Sequence, residues 1–210
     1  MNERRRVVVT GAGAITPVGK SVKEMWESLV AGKNGIGPIT AFDTTGYKAT
    51  LAAEVKDFDP LCCMKKIEAL RADRYTQMAV AAAEEAMADS GIAGKIDPER
   101  FAVYLGAGIG GIRTLEEEHT KLLQRGPQRI SPLFIPMMIA NMAAGTLAIR
   151  HGCQGPAMPA VTACASGSNA IGEAVRLIRH GYADAVISGG TEAAICPLAV
   201  SGFTNMLALS

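Results

Sequence analysis

Apolar residues along this chain follow two alternating rhythms. Short, mostly apolar runs at Val7–Thr10, Thr50–Val55, Phe101–Leu105, Met158–Val161 and Ala185–Ser188 are closed by glycine, proline, aspartate or a small-residue turn. That is the pattern of short strands, most of them buried. Between them lie segments of helical period. Val22, Met25, Trp26 and Leu29 form one stripe, opened by Ser21 with Glu24 at capping-box spacing and closed by Gly32. Lys33–Tyr47 reads as a loop. Tyr75–Ser90 is alanine-rich, with Met78, Ala82, Ala86 and Met87 inward, and ends at Gly91. Leu115–Gln124 is polar, and Glu116, Glu117 and Glu118 in its first turn are expected to favour the helix dipole and to face water. Ser131-Pro132 opens a further segment in which Pro136 predicts a kink or a delayed start, and Met137–Arg150 is apolar and small. Ile171, Ala174, Val175 and Ile178 share one helical face. Strands alternating with helices predict an α/β fold with a mostly parallel central sheet between helices.

Composition narrows the function classes. The 210 residues are 49% hydrophobic but only 5% aromatic, so Ala, Val, Ile, Leu and Met must build the core. Lys plus Arg total 21 against 20 for Asp plus Glu, which leaves no global field to hold nucleic acid or an anionic membrane. No apolar run reaches the roughly 18 residues of a membrane span. Met1–Arg6 leads into the first strand without a signal-peptide pattern, and a cytoplasmic protein is expected. Five cysteines, Cys62, Cys63, Cys153, Cys164 and Cys196, are odd in number and lack ligand-like pairing, so reduced thiols are expected rather than disulfides or a zinc site. Gly11-Ala12-Gly13 after the first strand invites a dinucleotide reading, but Thr16 stands where the third glycine is needed and Ile15 where the short variant needs one.

One thiol stands apart. Cys164 lies between an apolar run and the stripe that begins at Ile171, so it is expected at a helix N-terminus. There unpaired N–H groups and the dipole favour a thiolate. Small neighbours, Ala163, Ala165, Ser166 and Gly167, leave the sulfur approachable. The competing reading is an inert cysteine acting as a small hydrophobe.

Thr162-Ala163-Cys164-Ala165-Ser166-Gly167 resembles the nucleophile motif of the β-ketoacyl-acyl carrier protein synthases of the thiolase-like superfamily, and the resemblance to the elongating, synthase II-like members runs along essentially the whole chain. It implies a single domain over residues 1–210, the N-terminal half of a duplicated layered fold. Cys164 would accept the acyl chain. Ile109, in the glycine run Gly106–Gly111, would line the mouth of the acyl pocket, with an unliganded turn as the alternative. Phe134 would be a pocket wall or ordinary core, and Phe203 would face the site. Lys65, Lys66, Arg71 and Arg74, with Arg129 beside Lys121 and Arg125, would dock an acidic acyl carrier protein, or else form solvated helix faces. Glu192, in an apolar setting, would need partners.

The resemblance further implies a homodimer, acyl and malonyl thioester substrates, and no metal or cofactor. In the family a second half supplies two histidines, a lysine and a glycine-rich loop for decarboxylative condensation. His119, His151 and His180 match none of these, so this chain alone is expected not to complete condensation. A type II polyketide ketosynthase and a non-catalytic dimerisation or interaction module are the alternatives.

Overall fold

The computed structural model describes residues 5–209. Met1–Arg4, read as the lead into the first strand, and Ser210, read as the end of the tail, lie outside the described residues. In chain order the elements are α1 (Val22–Val30), β1 (Ile36–Pro38), β2 (Leu51–Ala53), α2 (Lys66–Ala69), α3 (Arg74–Ser90), β3 (Phe101–Gly106), α4 (Ile112–Arg125), α5 (Phe134–Met138), α6 (Met142–His151), β4 (Ala157–Ala160), α7 (Ser166–Arg179), β5 (Ala185–Gly190) and α8 (Pro197–Asn205).

The central sheet has the order β4-β3-β5 and is parallel throughout. Gly106 stands opposite both Ala160 and Gly190, so the three strands end level. Successive side chains of β3 point to opposite faces. Phe101, Val103 and Leu105 face a core shared with Tyr75, Val80, Ala144 and Leu147, which places α3 and α6 on that side. Gly106 faces the other way, onto α7: a Cβ there would lie 2.3 Å from Ser166 backbone atoms, so only glycine admits the helix. Val103 and Leu147 are fully buried, each contributing about 1.5–3 kcal/mol by transfer from water. Alanines of α3 and α6 let the two helices approach closely.

Caps and breakers work largely as expected. The Ser21 hydroxyl accepts from Glu24 N at 3.2 Å, and the Glu24 carboxylate accepts from Lys20 N at 2.8 Å, one residue before the box position. Gly91 and Gly152 end α3 and α6 in the left-handed conformation. Pro136 falls within the short α5, and the chain leaves the helix at Ile139 before α6 begins.

Several expectations are corrected. Val7–Thr10 is not a strand: Val9 is 87% exposed, and the following residues are held on α3 instead, with Ala12 N donating to Asp89 at 3.0 Å and Ala14 N to Glu85 at 2.9 Å. An apolar run becomes a strand only beside an edge it can pair with, and this one forms no ladder with β5. The α1 stripe is likewise uncovered, with Trp26 63% and Leu29 54% exposed, because no second layer lies over it among the described residues. The expected loop Lys33–Tyr47 contains β1, which pairs antiparallel with the short β2 in a separate ribbon. β4 is an edge strand with Met158 exposed rather than buried, and β5 is only half-buried. On α7 the buried line is Ser166, Ala170 and Ala174, while Ile171 is exposed. α4 starts at Ile112, so its glutamates fall beyond the first turn. Glu118 is buried rather than solvated, accepting from the Lys121 ammonium and from Ser131 N at 2.8 Å.

Candidate active site

The level ends of three parallel strands form the carboxyl edge of the sheet, where open α/β sheets collect their reactive groups. Cys164 sits there, exposed, in a 3-10 turn over Ala163–Ala165 that joins β4 to α7. Its placement two residues before the first residue of α7 agrees with the expected helix start.

The turn is strained and pinned. Ala163 has φ +52°, the left-handed region, which costs a residue with a Cβ about 1–2 kcal/mol. The buried Ser166 hydroxyl donates to Ala163 O at 2.6 Å and accepts from Thr162 N at 2.9 Å. Asn169 Nδ2 donates to Thr162 Oγ1 at 2.7 Å. Among the described residues the Cys164 N–H has no hydrogen-bond partner, so it is free to donate to a bound group.

The glycine run after β3 forms the facing wall. Beyond the ladder, Ala107 N donates to Ala160 O at 3.1 Å and Thr191 N to Gly106 O at 2.9 Å, tying β3 to both neighbours at the edge. A Cβ on Gly108 would stand 3.3 Å from Ala163 O, so this run lies against the Cys164 turn. Ile109, 40% exposed, is therefore brought to the same edge as Cys164. Its N–H donates to Glu192 Oε2 at 2.7 Å, which supplies the partner that Glu192 was expected to need. Gly111 backs onto Met137 and Met138 of α5. Phe134, half-buried, opens that helix, so the helix that carries it abuts the glycine run. Phe203 is half-buried on α8, whose Val200 packs with Ile39 and Ala49 in a separate cluster. A cavity of roughly 800 Å³, lined in part by Glu192, opens between residues 13–17, β2 and α3. Cys164 is not part of its lining.

The cations divide. Arg74 is drawn inward: it donates to Phe58 O at 2.9 Å and lies 4.8 Å from the Phe58 ring. Burial, with Arg113 nearby, holds its guanidinium below the ordinary range. Lys65, Lys66, Arg71 and Arg129 are exposed, and Lys121 is engaged by Glu118. His119 and His180 are exposed, and His180 ends α7, whose 14 residues put it roughly 21 Å from the Cys164 end. His151 is half-buried, its Nε2 without a hydrogen bond and 3.9 Å from Glu84 Oε1, and burial lowers its pKa.

Three of the other thiols are of a different kind, while Cys62 is exposed like Cys164. Burial, with Cys62 alongside, pushes Cys63 up to about 12, and burial pushes Cys153 and Cys196 up to about 11. Ser166 is a site residue the sequence reading missed, although a serine two places past the cysteine at a helix start is a readable sign. Thr191 and Tyr75 had no such sign. Thr191 Oγ1 donates to Tyr75 O at 2.6 Å and Tyr75 Oη to Ile139 O at 2.7 Å, contacts made across more than sixty residues of chain. Among the described residues no group of three His, Cys, Asp or Glu could hold a metal ion, and no helix is long and apolar enough to cross a membrane.

Parallel strands ending level, with a thiol-bearing turn running from the edge strand into a helix across the sheet, define one half of a thiolase-like α/β fold. The chain belongs to the beta-ketoacyl synthase family: the family's N-terminal domain model matches residues 4–210. It is 50% identical over 209 residues to a 3-oxoacyl-[acyl-carrier-protein] synthase 2 of Synechocystis, covering 99% of this chain and 50% of that protein. It is 46% identical over 211 residues to the synthase 2 of Staphylococcus aureus, covering 100% of this chain and 51% of that protein. Among solved structures, the ishigamide ketosynthase/chain length factor superposes with a TM-score of 0.91 at 32% identity, over 99% of this chain and 52% of that one. The chain spans about half the length of the curated relatives it matches.

Proposed function

We propose that this chain is the acyl-accepting half of a 3-oxoacyl-acyl carrier protein synthase of the synthase 2 type, an acyltransferase of fatty acid biosynthesis. The carrying observation is the exposed Cys164 thiol on a strained turn at the carboxyl edge of the sheet, held against the glycine run that bears Ile109. The Cys164 thiolate attacks the carbonyl carbon of an acyl thioester. The resulting oxyanion is received by the free Cys164 N–H, one of the donors such an intermediate needs. Collapse breaks the old carbon–sulfur bond, the carrier's thiolate leaves and takes up a proton, and the acyl chain remains on Cys164. Condensation with a malonyl thioester then requires acid–base groups, for which His180, at the far end of α7, is too distant. Identity of 50% to a 3-oxoacyl-[acyl-carrier-protein] synthase 2 against 32% to the ishigamide ketosynthase/chain length factor supports the synthase 2 assignment.

Acyl carrier protein is the partner in this reading, as the relatives' names state for them. The exposed Lys65, Lys66, Arg71 and Arg129 are its docking cations, with Arg74 alongside them in sequence and tied to Phe58. Phe134 and Phe203 complete the acyl pocket beside Ile109. The free edge of β4, with Met158, Val161 and Ile171 exposed next to it, is the dimer face, since an unpaired apolar edge seeks a second strand. Free thiols throughout support a cytoplasmic location.

Incubating the protein with palmitoyl-acyl carrier protein tests this. Intact mass should rise by one palmitoyl group, mapped to Cys164 and absent in Cys164→Ala. An adduct that persists in Cys164→Ala, or no adduct on the wild-type protein, would overturn the proposal.

A further inference from the structure

Ile109 poses a positioning problem. At 40% exposure its side chain is not clamped by packing, yet it directly follows Gly108, which lies against the Cys164 turn. Its place must therefore be set through the backbone. The glycine run is anchored at both ends: by the strand register at Gly106, and by Gly111 N donating to Met138 O at 2.9 Å. Between these anchors one side chain bridges the run. Glu192 Oε2 accepts from Ile109 N at 2.7 Å and lies 3.4 Å from Gly110 N, while Oε1 accepts from Ala193 N at 3.0 Å. Two successive N–H groups turned toward one oxygen form an anion-binding concavity, and Gly110, with φ +91°, provides the turn it needs.

The carboxylate is itself fixed from behind, because the preceding Thr191 is bonded to Gly106 O and Tyr75 O. A Cβ on Gly108 would meet Ala163 O at 3.3 Å and Glu192 Oε2 at 3.4 Å, so at Gly108 the glycine run, the carboxylate and the Cys164 turn come together.

We propose that Glu192 is a positioning residue that sets the acyl-chain preference of the Cys164 site by holding the Ile109–Gly110 backbone. The inference rests on the acyl-transfer reading given above. Without the carboxylate the middle of the run loses its side-chain anchor, Ile109 no longer stands at a fixed distance from the sulfur, and the wall discriminates less between short and long chains.

The test is competition between hexanoyl- and palmitoyl-acyl carrier protein for Cys164 in the full chain, with the two adducts resolved by intact mass. Glu192→Ala should shift the adduct ratio by about tenfold, the scale on which an apolar pocket wall discriminates. Glu192→Gln, which keeps an acceptor oxygen, should restore most of it, and alkylation of Cys164 by iodoacetamide should stay at the wild-type rate. Glu192→Asp, which keeps the charge but withdraws it by one methylene, should shift the ratio the same way and decides the matter if the alanine variant does not fold. An unchanged ratio in the folded variants overturns the role of Glu192 and leaves acyl transfer standing. Absence of any adduct on the wild-type protein overturns the acyl-transfer reading itself.

Discussion

Ser166→Ala isolates the force that holds the Cys164 turn. The hydroxyl is 3% exposed and makes two hydrogen bonds, to Ala163 O at 2.6 Å and from Thr162 N at 2.9 Å. Each contributes about 0.5–1.5 kcal/mol net, so together they supply about 1–3 kcal/mol. The left-handed Ala163 costs about 1–2 kcal/mol, so the two terms nearly balance and the serine is what keeps Ala163 at φ +52°. Removing the hydroxyl should lower Tm by about 4–8 °C, for a loss of about 2 kcal/mol in a chain of this size. Relaxation of Ala163 swings the adjacent Cys164 away from the glycine run. If about 2 kcal/mol is lost at the turn, acylation of Cys164 should slow by roughly 30-fold.

The assay is the rate of palmitoyl adduct formation by intact mass, beside a urea titration that reports global stability. Ala163→Gly in the Ser166→Ala background supplies the control. Glycine adopts the left-handed conformation without the Cβ penalty, so the double variant should regain about tenfold in rate. An acylation rate for Ser166→Ala within twofold of wild type would refute the argument, as would a double variant that recovers nothing.

Brief treatment with iodoacetamide at pH 8 should label Cys164 and Cys62, both exposed, and spare Cys63, Cys153 and Cys196, whose thiols burial pushes up to about 12, 11 and 11. Peptide mapping reads this out, and modification of Cys153 or Cys196 at the rate of Cys164 would contradict the packing described. Glu118 should carry an acid-dependent part of stability: Lys121 and the Ser131 N–H hold its carboxyl below the ordinary 4.5. Its contribution is therefore complete above about pH 4.5 and is lost as pH falls through the lower folded value. The urea midpoint gap between wild type and Glu118→Gln should shrink from pH 7 to pH 3, and a constant gap would count against this assignment.

The sequence alone was sufficient for features governed by near neighbours. Ser21 with Glu24, and Gly91, announced helix ends because caps and left-handed turns are local requirements of the backbone. The apolar run Phe101–Leu105 announced β3 because a strand buried on both faces has no polar side. The small residues around Cys164 announced an approachable thiol at a helix start, and the resemblance in Thr162–Gly167 turned that thiol into a candidate acyl acceptor.

Only the tertiary structure decided which apolar positions are covered and which polar groups are joined. Val7–Thr10 and the α1 stripe have the composition of buried elements, yet burial needs a facing layer, and their own residues cannot report whether one is present. Glu118 reads as a surface charge within its polar helix, but Ser131 N lies thirteen residues away in sequence and 2.8 Å away in space. The same holds at the site. Ile109 and Glu192 are 83 residues apart, and what brings them together is the parallel register that ends β3 and β5 level at Gly106 and Gly190. Register is a property of paired strands, so the link between the glycine run, its carboxylate anchor and the thiol exists only once the sheet has formed.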